Sequence, residues 1–210
     1  MTERVQLQEN VKFPVFTDTL IKNSVSGSDN RRYSLVKRWS KSGKIVRLKR
    51  GVYALGEKYR DKGLNLFSAA QYIYGPSYIS FESALSYHGW IPEAVYSVTS
   101  ASTARAREFR TPLGVFSYMP VHYADFFAGV KRGGDDTGAF LIAAPWRALA
   151  DYVYAYRKRW KGMEQASADL RIDMESFKEE GAAVIEEILG SVRNRRVREF
   201  LEGCAKELAK

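Results

Sequence analysis

Apolar positions along the chain fall into short blocks separated by polar, Gly- and Ser-rich punctuation, and their spacing changes from block to block. "FPVFTDTLIKNSV" reads as an extended entry followed by a helix that starts at Thr17. A weaker helical period precedes it in "RVQLQENV". "GSDNRRYSLVKRWSKSG" opens with Ser28 and Asp29, either of which can cap a helix, and closes at Gly43, a natural stop. The spacing predicts a helix over 30–41 with Leu35, Val36 and Trp39 on one arc. "SGKIVRLKRGVYAL" then reads as a half-buried hairpin that turns near Lys49, Arg50 and Gly51. Its apolar members are Ile45, Leu48, Val52, Tyr53 and Leu55, expected to pack on the helices.

After the polar, Gly-bounded linker "GEKYRDKG" the pattern changes. "LNLFSAAQYIYG" has helical period, "PSYISF" is extended, and "SFESALSYHG" is a helix capped by Ser80 and ended by Gly89. "AVYSVTSAS", "REFRT" and "GVFSYMPVHY" are strand-like, with "PLG" as the turn between the last two. "VKRGGDDTGAFLIAA" predicts a turn followed by a buried strand. Pro145 suits the first turn of a helix and opens "PWRALADYVYAYRKRW". From Asp173 the tail reads as two helices, with Ser191 as the cap of the last.

The resulting order of helix, helix, basic helix and hairpin is that of a winged helix-turn-helix. The fold class expected is α+β: a winged helix-turn-helix over 1–63, a mixed α/β domain over 64–162, and a helical C-terminal extension over 163–210.

Charge sharpens this division. The net charge is +9, and residues 1–63 alone hold 15 Lys or Arg against 6 Asp or Glu, so the rest of the chain is balanced. Nine cations and no anion lie between Arg31 and Arg50. Solvated faces usually mix signs, whereas charge confined to one segment points to a surface that meets a polyanion. On the predicted helix, Asn30, Arg31, Ser34, Lys37, Arg38 and Lys41 share the arc opposite the apolar one. Arg32 falls on the apolar side, in a first turn from which a long side chain still reaches a phosphate. Such a face combines groups that read base edges with groups that neutralise phosphate. A membrane-surface helix is the other use of a basic amphipathic pattern, but this apolar arc is narrow and serves better as core. The hairpin supplies Lys44, Arg47, Lys49 and Arg50 to a backbone or minor groove.

Other chemistry finds little support. One cysteine, Cys204, excludes an internal disulfide framework and a cysteine-rich zinc site. His88 shares a helical arc with Phe81, Ala84 and Leu85, which favours a packed, hydrogen-bonded histidine over a catalytic one. His122 has no companion, and two isolated histidines have no metal-ligand spacing. Asp135 and Asp136 lie between glycines and read as a solvated turn rather than a nuclease site. No phosphate-binding or nucleophile-elbow motif is present, and Gly27–Ser28 lacks the spaced aspartates of a nucleotidyltransferase. The chain reads as a non-enzyme without cofactor or metal.

Tyr72, Tyr74, Tyr78, Phe81, Tyr87 and Trp90 read as core and core rim rather than a base-stacking platform. Arg193, Arg195, Arg196 and Arg198 lie near Glu186, Glu187, Glu199 and Glu202 and read as a solvated helix rather than a second nucleic-acid contact. The polar, mixed-charge start is neither a signal nor a transit peptide, and no run approaches the roughly 18 apolar residues of a membrane span, so a cytoplasmic protein is expected.

Four segments, "IVRLKRGVYAL", "PSYISFESALSYHGWIPEAVYSVTSAS", "REFRTPLGVFSYMPV" and "LIAAPWRALADYVY", together resemble the AbiEi family of bacterial antitoxins and transcriptional regulators of type IV toxin–antitoxin systems. The resemblance covers roughly residues 14 to 156 and is most specific from Tyr78 to Gly89. It implies a winged N-terminal domain that binds operator inverted repeats in its own promoter. It also implies a C-terminal domain that counters a nucleotidyltransferase-like toxin without a stable complex. The tail beyond about Gly162 lies outside it. The contrasting reading is a nucleic-acid-processing or RNA-binding protein that uses the basic segment for affinity only.

Overall fold

Local signals and tertiary pairing together build an α+β fold with two β-sheets and, among the described residues, eight α-helices. The computed structural model describes residues 14–61, 63–92, 96–172 and 182–209. The expected helix in "RVQLQENV" lies outside the described residues.

The first unit begins with strand β1 (Val15–Thr17) and helix α1 (Asp18–Ser24), whose N-cap is Thr17. Helix α2 (Asp29–Lys41) follows, and its cap is Ser28, whose Oγ accepts from the Arg31 backbone N–H at 3.3 Å. Strands β2 (Ile45–Lys49) and β3 (Val52–Leu55) form the hairpin. Gly51 turns it with φ +78°, a left-handed conformation that costs glycine little. Strand order is β1-β3-β2, all antiparallel, with an irregularity between Arg47 and Lys49.

Both faces of this small sheet are covered, which differs from the half-buried hairpin expected. Phe16, Ile45, Tyr53 and Leu55 form one cluster with Ile21, against which Val36 and Trp39 of α2 pack. Val15, Leu48, Val52 and Ala54 face the other way and belong to the main core. Period-2 alternation separates the two sets along each strand, but both happen to be apolar here.

The larger sheet has order β6-β7-β5-β4-β9-β8. Its strands are β4 (Ser77–Ile79), β5 (Ser97–Ser102), β6 (Arg107–Thr111), β7 (Gly114–Pro120), β8 (Val130–Asp135) and β9 (Gly138–Ala143). Pairs β4–β9 and β5–β7 are parallel, and the rest are antiparallel. The run "VKRGGD", expected as a turn, is strand β8. Two glycines weaken its intrinsic strand signal, yet the Phe140 ring of β9 fills the space above Gly133, so pairing decides the conformation.

Helix α3 (Leu66–Ile73) lies between the sheets, and Tyr118 donates from β7 to its Ala70 carbonyl at 2.6 Å. On the opposite face, α4 (Phe81–Tyr87) packs against α5 (Pro145–Ala155). Helix α5 ends five residues earlier than its periodicity suggests. Helices α6 (Met163–Leu170), α7 (Ala183–Ser191) and α8 (Arg195–Leu208) close the outer layer. Asn194, not Ser191, caps α8, because its Oδ1 accepts from the N–H groups of Arg196 and Val197. Ser191 instead donates to the Ile188 carbonyl within α7.

A fully buried polar cluster joins Tyr78 of β4 and the following Ser80 to Arg147 and Asp151 of α5. Arg147 of α5 donates to the Asp151 carboxylate at 3.0 Å, the Tyr78 hydroxyl at 2.7 Å and the Ala128 carbonyl at 2.6 Å. Tyr78 and Ser80 donate to Asp151 at 2.8 and 2.7 Å. Arg147 and Asp151 are both 0% exposed, a placement that only a partnered charge tolerates. Burial, reinforced by the Asp151 charge, pushes the Tyr78 hydroxyl well above its ordinary range and keeps it neutral as a donor.

Candidate nucleic-acid interface

Helix α2 presents the basic arc that its periodicity predicts. Asn30, Arg31, Ser34, Lys37, Arg38 and Lys41 are all exposed, and none of α2 is fully buried. Leu35, Val36 and Trp39 are half-buried on the opposite arc. Sequence spacing alone was enough to sort these positions.

Arg32 and Arg31 have more specific placements. Arg32 reaches back into the turn before α2, donating to the Val25 and Gly27 carbonyls and to Asp29 Oδ1 at 2.6 Å. This ion pair holds the Asp29 carboxyl below its ordinary value. The Arg32 guanidinium therefore ties α1 to α2 in this conformation. Arg31 lies along the same turn: a Cβ on Gly27 would stand 2.8 Å from its Cδ, and Gly27 itself has φ +118°. The glycine leaves room for the arginine stem.

The hairpin cations divide by position. Arg47 and Arg50 are exposed, and Arg47 donates from Nε to the Lys49 carbonyl at 3.4 Å. Lys44 is 9% exposed and enters the base of the hairpin, where its N–H donates to the Trp39 carbonyl. Lys49 is half-buried, with Nζ 6.0 Å from the Phe109 ring centroid on β6. Arg107 stands 5.2 Å from the same ring.

Between α1, α2 and the hairpin runs a groove of about 560 Å³. Lys22, Lys37, Arg47 and Arg50 line it together with Tyr33, Tyr53, Asp18 and Asp29. Its carboxylates are engaged internally, Asp29 with Arg32 and Asp18 with the Tyr53 hydroxyl. Burial, with Asp18 beside it, raises the Tyr53 pKa. Lys22, Lys37, Arg47 and Arg50 outnumber Asp18, the lining carboxylate not paired with an arginine, so the groove is net positive. Tyr33, which the charge pattern did not single out, is 71% exposed. The signal was present as an aromatic at a polar-flanked helix position, but periodicity does not separate an exposed ring from one that packs.

The other sequence candidates have structural placements. His88 Nε2 meets the Ala143 carbonyl at 3.0 Å. Asp135 accepts from Thr137 within the β8–β9 turn. Arg195 pairs with Glu199 at 2.7 Å and Arg198 with Glu202 at 3.4 Å along α8. Tyr78, Phe81 and Trp90 are core, while Tyr72 and Tyr87 are exposed at 46% and 53%. No group of metal-ligating side chains and no helix long and apolar enough to cross a membrane occurs among the described residues. No protein-family model and no curated protein matches the chain.

Proposed function

We propose that the chain is a sequence-specific DNA-binding transcriptional autorepressor and the antitoxin of a type IV toxin–antitoxin system. In this reading β1, α1, α2, β2 and β3 are a winged helix-turn-helix, with α2 as the recognition helix and the hairpin as the wing. The observation that carries it is the α2 arc on which Asn30, Arg31, Ser34, Lys37, Arg38 and Lys41 are exposed together with no carboxylate among them. Asn, Arg and Ser donate and accept at base edges, while Lys and Arg release counterions from phosphates. Lys37 from that arc and Arg47 and Arg50 from the hairpin line one groove, as a second row of phosphate contacts. The antitoxin role rests on the resemblance across residues 14 to 156 to regulators that counter a nucleotidyltransferase-like toxin without a stable complex.

Mobility shift on the protein's own promoter, on a scrambled duplex and on single-stranded RNA tests the first half. Tight binding to promoter inverted repeats, stronger than to either competitor, is the expected result. Equal binding to all three would leave affinity without sequence reading and overturn the repressor assignment. A nucleotidyltransferase-like reading frame beside its gene, co-expressed with the chain, tests the second half: absence of such a frame, or failure to restore growth, would overturn the antitoxin role.

A further inference from the structure

On the polar surface of α2 one large ring stands out: Tyr33 is 71% exposed, one helical turn before Lys37. It lines the groove opposite Arg47 and Arg50 of the hairpin. Among the described residues its hydroxyl has no hydrogen-bond partner, and its ring belongs to neither apolar cluster. An aromatic held in water gains free energy when an apolar group covers it. Asn30, one turn before it, and the adjacent Ser34 are exposed members of the arc that reads base edges in this reading, so the ring borders that arc. The major-groove edge of a base pair carries one apolar group, the C5 methyl of thymine. The neighbouring Ser34 adds a hydroxyl that accepts or donates at any base, so it supplies no such preference.

We infer that Tyr33 is a specificity-determining residue that packs its ring on a thymine methyl in the major groove. This rests on the DNA-binding reading and adds to it a position and a base. The contact is apolar, so it contributes discrimination and leaves the count of neutralised phosphates unchanged.

The test begins with selection of bound sequences from a randomised duplex by the full-length protein. Each thymine of the selected site is then replaced by deoxyuridine, which removes only the methyl group. At one thymine the wild type is expected to lose about four-fold in affinity, the worth of one methyl-sized apolar group. Tyr33→Ala should show no loss at that position and an unchanged salt dependence, while Tyr33→Phe should behave as wild type. Circular dichroism of each variant checks folding, which the exposure of Tyr33 should leave intact. Wild-type selection that enriches no sequence overturns the DNA-reading assignment and this inference with it. A selected site whose deoxyuridine profile is the same for wild type and Tyr33→Ala overturns this inference alone.

Discussion

The ammonium of Lys49 stands 6.0 Å from the centre of the Phe109 ring, so the basic hairpin leans on the edge strand of the larger sheet. Arg107 lies 5.2 Å from that ring, which places cations from both units around one aromatic. Beneath this contact, Leu48 and Val52 enter the main core at 4% exposure each. The hairpin is therefore held from two sides, by α2 above and by the larger unit below.

Cutting the chain at residue 63 removes the lower support. Val15, Leu48, Val52 and Ala54 would pass from the main core to water. The fragment 1–63 is expected to unfold at lower temperature than the full chain and to self-associate, because a contiguous apolar face is left bare. Sedimentation and thermal unfolding of the fragment check this. A monomeric fragment with an undiminished melting temperature would mean that the shared core contributes nothing to the hairpin.

Salt dependence separates the cations by placement. Lys37→Ala and Arg50→Ala, both at exposed positions on the groove, should each reduce the slope of log K against log salt by about one. Lys49→Ala should reduce it by less, because that side chain is half-buried against Phe109. Arg32→Ala should lower the melting temperature and leave the slope unchanged, since its guanidinium is engaged by Val25, Gly27 and Asp29. A slope change for Arg32→Ala equal to that of Arg50→Ala would place Arg32 on the DNA.

The buried pair in the larger unit predicts an asymmetric response to mutation. Arg147→Met leaves the Asp151 carboxylate at 0% exposure without its cation and should cost about 3–5 kcal/mol. Adding Asp151→Leu removes the orphaned charge and should recover part of that loss. Denaturant unfolding of the two single variants and the double variant measures the coupling. Additive losses would show that the pair is not energetically linked.

Several tyrosines make stability sensitive to base. Partial burial, with Glu82 nearby, pushes Tyr156, still 42% exposed, from the ordinary 10 up to about 12, and burial raises the enclosed Tyr118 and the half-buried Tyr152 further. A folded-state pKa above the unfolded value means that the stabilisation is whole below pH 10 and is lost as pH rises through about 12. Unfolding free energy should fall across that interval, with tyrosinate absorbance from buried rings appearing as the chain unfolds. Full tyrosinate formation in a chain that stays folded would contradict the burial.

Legibility in the sequence followed the range of the interactions. A cap at Ser28 or Asp29, the α2 end at Lys41, the hairpin turn and the outward arc of cations were readable because each depends on a few adjacent residues. The Asp135 turn was readable for the same reason, whereas the partner of His88, the Ala143 carbonyl 55 residues away, was not. By contrast, β8 carries two glycines and becomes a strand through its neighbour, so its own residues did not announce it.

The sequence by itself determined the α+β character, the confinement of excess charge to the first 63 residues, and which α2 side chains point away from its apolar arc. Those follow from composition and from the period of the backbone. Only tertiary structure decided which core each apolar hairpin residue joins, that Ile45 meets α1 and α2 while Leu48 meets the larger unit. It also decided that Arg32 ties a turn, that Lys49 leans on Phe109, that Arg147 finds Tyr78 across 69 residues, and that Tyr33 is left facing water. Periodicity states that a side chain is apolar or charged and on which side of its element it lies. What stands opposite that side is fixed by segments far away in the chain.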